Sequence, residues 1–96
     1  DYENSLREIK TERKRLFEAL RQIKKLKVYP SQANYFMCEL LDGHTSEELA
    51  GRLLKRNILI KDLTGKIKNG RQYIRIAIRT GAENQRLVEL LKEETQ

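Results

Sequence analysis

Ninety-six residues, 39% apolar and 35% charged, make one folded domain with a modest core, too small for an elaborate cofactor site plus a substrate domain. One cysteine and one histidine exclude an internal disulfide and a zinc site, and a lone cysteine suits a reducing compartment, the cytoplasm. The net charge of +6 is interleaved with acids rather than gathered on one face, no apolar run is long enough to cross a bilayer, and no signal-peptide pattern is present.

Residues 3–25 predict a long helix. Leu6, Ile9, Leu16, Leu20 and Ile23 recur at helical spacing, Phe17 widens the stripe and Arg13 interrupts it. Glu3 with Arg7 and Glu18 with Arg21 are placed to lace its exposed side. The pattern begins partway into this helix at Asp1, the expectation for a piece of a longer protein. A short strand at 27–29 follows, then a break at Pro30-Ser31-Gln32. Residues 33–41 are apolar on both faces and predict an inner strand, with Tyr35, Phe36 and Met37 in the core. Cys38 there acts as a small hydrophobe.

Asp42-Gly43-His44 predicts a turn, and His44 a chemically inert position within it. Thr45 with Glu48 makes a capping box, opening a helix that runs through Arg56 and buries Leu49, Leu53 and Leu54. Asn57 suits the position after its C-cap. Residues 58–62 predict a strand, with Lys61 on the face of Leu59. Residues 63–70 predict a polar loop containing Gly65 and Gly70.

The stretch 73–79 alternates strictly. Ile74, Ile76 and Ile78 face a core; Tyr73, Arg75, Ala77 and Arg79 face away. Arg75 and Arg79 lie roughly 13 Å apart along such a strand. A guanidinium on rigid backbone beside a small residue suits a planar anion such as a carboxylate. Thr80 with Glu83 is a second capping box, and the last helix covers 82–93, burying Leu87, Leu90 and Leu91. The order α-β-β-α-β-β-α predicts an α+β sandwich. Its small sheet is antiparallel or mixed, with helices packed on one side.

Taken in order, several segments carry a resemblance. They are Glu12-Arg13-Lys14-Arg15-Leu16, Val28-Tyr29-Pro30-Ser31-Gln32-Ala33-Asn34-Tyr35, Thr45-Ser46-Glu47-Glu48-Leu49 and Gly51-Arg52-Leu53-Leu54. Ile58-Leu59-Ile60-Lys61-Asp62, Tyr73 to Thr80 and Glu83-Asn84 complete the set. This series resembles the C-terminal small domain of fold-type I pyridoxal-phosphate enzymes. The subgroup it is most similar to is histidinol-phosphate aminotransferase together with L-threonine-O-3-phosphate decarboxylase. No single segment is specific; the ordered set covers nearly the whole chain.

The resemblance implies that residues 1–96 are one domain of a longer, homodimeric enzyme. The partner is its large pyridoxal-phosphate-binding domain, and the substrate is a small phosphorylated amino acid or amino alcohol. Arg75 matches the arginine that binds the substrate carboxylate. Lys61 stands where the subgroup usually carries a phosphate-binding arginine. Arg79 stands where the aminotransferases commonly carry glycine and the decarboxylase-like members arginine, which favours a decarboxylase. The loop Thr64-Gly65-Lys66-Ile67-Lys68-Asn69-Gly70 departs from the Pro-Gly loop of the family. The cofactor lysine, its phosphate cup and the acidic partner of its ring nitrogen belong to the large domain. Neither cofactor binding nor activity is therefore expected of this chain alone.

Each position also has a plain structural reading. Arg75 can pair with a carboxylate, Lys61 can be a solvated lysine, and Arg79 can sit at a sheet edge. Asn34 can satisfy a turn backbone rather than touch substrate. Two other functional classes compete. A basic α+β nucleic-acid module would need an aromatic platform on an open sheet face; only Tyr73 is placed beside Arg75 on its strand, and Tyr35 and Phe36 alternate. An interaction domain without an anion site would use the long first helix for docking.

Overall fold

The computed structural model describes residues 2–41, 43–66 and 69–96, with side chains from Arg7 onward. Helix α1 spans Tyr2–Arg21, strand β1 Leu26–Val28, strand β2 Tyr35–Leu40 and helix α2 Ser46–Lys55. Strand β3 is Lys61–Asp62, strand β4 Gln72–Ala77 and helix α3 Gly81–Glu94. The strands form one antiparallel sheet in the order β1-β2-β4-β3. The fold is α+β with the expected element order, and the predicted choice between antiparallel and mixed resolves to antiparallel.

Alternation explains which face is covered. In the β2–β4 ladder Cys38 stands opposite Ile74 and Phe36 opposite Ile76, and all four are buried. Leu16 and Leu20 from α1, Leu49 and Leu53 from α2, and Leu87, Leu90 and Leu91 from α3 close over this face in one apolar cluster. Phe36 meets Phe17 at a ring-centroid distance of 5.7 Å. Burial pushes the Cys38 thiol up to about 12, so it remains a neutral packing group. None of the described helices is long and apolar enough to cross a membrane.

Several boundaries differ from expectation, two of them for an evident local reason. Helix α1 stops at Arg21, not at residue 25. The amides of Gln22 and Ile23 turn back to the carbonyls of Ala19 and Leu20, tightening the end so that Ile23 and Leu26 both reach the core. The strand predicted at 58–62 shrinks to two residues. Asn57 adopts φ 65°, and the Ile58 amide is spent on the Leu53 carbonyl, closing the end of α2. Ile60 still enters the core, but Leu59 stands 68% exposed, and Leu54 is likewise outside the core. Strand β4 ends at Ala77, short of Arg79.

The N-cap half of each capping box forms. Thr45 Oγ1 accepts from Glu48 N and Thr80 Oγ1 from Glu83 N, each at 3.3 Å. The Glu18–Arg21 pair is present at 3.3 Å. The Glu3–Arg7 pair, the place of Leu6 in the stripe, Asp42 of the predicted turn, and Ile67 and Lys68 of the predicted loop lie outside the described residues and side chains.

Candidate functional site

No described helix covers the second face of the sheet. Residues that alternate away from the core appear there: Met37 and Glu39 on β2, Tyr73 and Arg75 on β4, and Lys61 on β3. Register fixes their neighbours. Arg75 stands directly between Met37 on one side and Lys61 on the other. The sheet therefore brings together the two residues expected to grip substrate, although 13 residues separate them in sequence.

What orients Lys61 is its neighbour. Asp62 alternates to the opposite face, where it reaches the start of α2. Its Oδ1 accepts from Ser46 Oγ at 2.6 Å, Thr64 Oγ1 at 2.6 Å and Thr64 N at 2.9 Å. Ser46 is itself fully buried, and its amide donates to Gln72 Oε1 on β4 at 3.0 Å. This small network fastens a two-residue strand that the ladder alone would hold weakly, and pinning Asp62 inward turns Lys61 outward.

These hydrogen bonds hold the Asp62 carboxyl below the usual carboxylate range, with the Ser46 bond the largest cause. A depressed folded value stabilises the fold above the unfolded value of about 3.9, and that contribution is lost as pH falls through the folded value. Denaturant titrations of wild type and Asp62→Asn should therefore differ at pH 7 and converge near pH 2. A difference that persists unchanged at pH 2 would contradict a charge-based role.

Arg75 has a different support. Its guanidinium carbon lies over the Tyr35 ring, 5.0 Å from the centroid, within cation–π range. Against the core position its sequence predicts, Tyr35 is 43% exposed. The cause is parity. Phe36 takes the core position, so Tyr35 and Met37 must face the other way. Glu39, buried on the same face, is engaged elsewhere: it accepts from Tyr29 Oη at 3.3 Å and pairs with Arg71 at 3.7 Å. Among the described residues no carboxylate pairs with Arg75 or Lys61. Lys61 instead feels like charges, Lys66 first and then Arg75, which hold its amine below the ordinary lysine range.

Arg79 and Asn34 sit away from this pair. Arg79 lies beyond the end of β4 and pairs with Glu83 at 3.8 Å. The backbone at Arg79 is clamped by Asn84, whose Oδ1 accepts its amide at 3.0 Å and whose Nδ2 donates to its carbonyl at 2.9 Å. A cavity of about 260 Å³ opens beside it, lined in part by residues 57–59 of the segment between α2 and β3. Asn34 is exposed and contributes its backbone carbonyl, which accepts from Ile78 N at 2.8 Å.

Tyr73 is the one aromatic beside Arg75 on β4, as expected, and Tyr29 and Tyr35 join it on the open face from the neighbouring segments. Tyr73 is buried with its hydroxyl accepting from Asn69 at 3.0 Å, and Tyr29 is held by Glu39. Tyr35 is the exposed ring of the three, and Arg75 lies over it. One occupied ring is not a stacking platform.

Comparison with known proteins resolves the family. The model of aminotransferase class I and II matches residues 1–91. This chain belongs to the class I and II aminotransferase family. It is 41% identical to a histidinol-phosphate aminotransferase of Methanococcus aeolicus over 81% of this chain and 21% of that protein. It is 40% identical to an L-serine phosphate decarboxylase of Campylobacter jejuni over 88% of this chain and 22% of that protein. The solved histidinol-phosphate aminotransferase of Clostridium acetobutylicum superposes with a TM-score of 0.88 at 33% identity. The match covers 97% of this chain and 28% of that one. The chain thus spans about a quarter or less of the length of the curated relatives it matches.

For pyridoxal phosphate, the cofactor implied by the resemblance, no described lysine lies in a pocket that fits the Schiff-base role. A Schiff-base lysine needs a desolvated pocket that lowers its pKa. The described lysines are exposed, apart from a half-buried Lys25. The Lys61 amine is held down chiefly by neighbouring cations, Lys66 first and then Arg75.

Proposed function

We propose that residues 1–96 are the small C-terminal domain of a pyridoxal-phosphate-dependent enzyme acting on a phosphorylated amino acid or amino alcohol. In this reading Arg75 binds the substrate carboxylate, Lys61 assists at its phosphate, and Arg79 and Asn34 are secondary. The observation that carries the reading is the cross-strand pairing of Lys61 with Arg75, two cations with no carboxylate partner among the described residues. Charge of one sign left unneutralised on rigid strands is an anion receptor.

The large domain of the same chain supplies the cofactor and its chemistry, electron withdrawal from the bound amino acid. The isolated small domain is inactive. The patch is also open to water, and only a second surface closing over it would desolvate the contacts and strengthen them. Exposed Ile9 on α1 suits docking of that helix against the large domain. In the complete homodimeric, cytoplasmic enzyme the outcome is decarboxylation or transamination. Arg79 favours the decarboxylase, and relatives with both names are similar to this chain.

The test is selective. In the full-length enzyme Lys61→Ala should depress kcat/KM for a phosphorylated substrate by roughly tenfold or more, the scale of one charge-assisted contact. It should leave the dephosphorylated analogue within about threefold. An equal penalty on both substrates would remove the phosphate assignment.

A further inference from the structure

We infer that Lys66 is a third anion-binding residue beside Lys61 and Arg75, and that the three cations together select a doubly ionised phosphate ester over a singly charged one. The inference rests on the patch being the substrate's anion site, and it extends that reading to a residue and to a charge state.

The backbone brings Lys66 to the patch. Leu63 N donates to Tyr73 O at 3.0 Å, carrying the β3–β4 pairing one residue past Asp62. The chain then reverses at once, with Lys66 N donating to Leu63 O at 2.9 Å. Thr64 N is tied to Asp62 Oδ1 at 2.9 Å, which fixes the first residue of the turn. A turn closed this tightly after a two-residue strand returns Lys66 to the neighbourhood of Lys61. The proximity is felt electrostatically, since Lys66 is the foremost influence on the Lys61 amine.

The surrounding charges sharpen the point. Arg71 and Arg79, on either side along the chain, each have a glutamate, Glu39 at 3.7 Å and Glu83 at 3.8 Å. Among the described residues Lys61, Lys66 and Arg75 have none. Like charges gathered without a counter-ion repel one another, and an anion that bridges them relieves the repulsion. Valence then distinguishes the anion. If the Arg75 fork takes a carboxylate, two ammonium groups remain, and two point charges match a phosphate dianion. A lysine on a turn also supplies charge without demanding a fixed fork geometry.

The experiment compares methyl phosphate with dimethyl phosphate at pH 8 and constant ionic strength, binding to the 96-residue chain being followed through lysine side-chain resonances. At that pH methyl phosphate is a dianion, its second ionisation lying near 6, and dimethyl phosphate is a monoanion. The wild type should prefer methyl phosphate by roughly tenfold, the scale of one added close charge. Lys66→Gln should cut that preference to about threefold or less, shift dimethyl phosphate binding by under about twofold, and be rescued by Lys66→Arg. In the full-length enzyme the same Lys66→Gln change should raise KM for the phosphorylated substrate more than for its dephosphorylated analogue. A Lys66→Gln protein that keeps the preference and the KM ratio overturns the role of Lys66 and leaves Lys61 in place. A wild type without preference overturns the selection of a dianion. If Lys61→Gln is silent as well, the phosphate reading of the patch falls with it.

Discussion

Replacing Arg75 by alanine in the full-length enzyme should lower kcat/KM by roughly thirty- to thousand-fold, equivalent to about 2–4 kcal/mol. The size follows from three features. The guanidinium sits on an inner strand flanked by Met37 and Lys61, so the backbone that carries it cannot yield. It rests over Tyr35 rather than on an acid, so nothing competes with the substrate for its fork. Its two parallel donors match a carboxylate, and an alanine leaves that anion facing only lysines. Arg75→Lys should recover part of the loss, since charge returns without the fork. A kcat/KM for Arg75→Ala within threefold of wild type, in a folded protein, would end the carboxylate assignment.

The largest expected effect on stability comes from the other face of the same sheet. Phe36→Ala should destabilise the domain by about 3–5 kcal/mol. Phe36 is fully buried, opposite Ile76 in the ladder and against Phe17 of α1. Its removal leaves a void between the sheet and its first helix that the two rigid layers cannot both fill. Domains of this size are stable by only roughly 5–15 kcal/mol, so the loss is a large share of the total. Thermal denaturation should show a fall of more than about 10 °C, at roughly 4–8 °C per kcal/mol for a domain under 100 residues. Tyr35→Ala, one residue away, should cost much less, because that ring lies outside the core. Equal losses at the two positions would contradict the observed parity of β2.

These adjacent residues show where sequence is informative and where it stops. The isoleucine alternation in 73–79 specifies an Arg75 that faces away from the core because one face is unmistakably apolar. In 35–40 both faces are apolar enough that parity is ambiguous, and Tyr35 reads as core until Phe36 is seen to occupy the core position. The capping boxes at Thr45 and Thr80 mark two helix starts, since the capping chemistry is local. The end of α1 carries no glycine or proline and depends on Ile23 and Leu26 packing, which is a tertiary effect. Strand β3 is shortened by the closing hydrogen bond of the preceding helix, another contact invisible to periodicity. Arg75 and Lys61 are proposed for the site through resemblance; their direct opposition is not legible in sequence, because register between β3 and β4 depends on the turn that joins them. The Ser46–Asp62–Thr64–Gln72 network draws on three separate segments and has no sequence signature.

Strand order has a consequence for how the molecule is made. The strand nearest the C-terminus, β4, lies between β2 and β3, so during synthesis the earlier strands wait with unsatisfied edges. Only the β1–β2 hairpin can pair before residues 72–77 have emerged. Joining β2 to β4 then closes a loop spanning α2 and β3, a non-local step that slows folding relative to helical proteins of equal size. Until it happens, Tyr35 to Leu40 offer a strand edge with an apolar face to any neighbouring chain, the form in which nascent β-structure aggregates. Until β4 inserts between β2 and β3, the chain is an adhesive intermediate; its pairing closes the sheet.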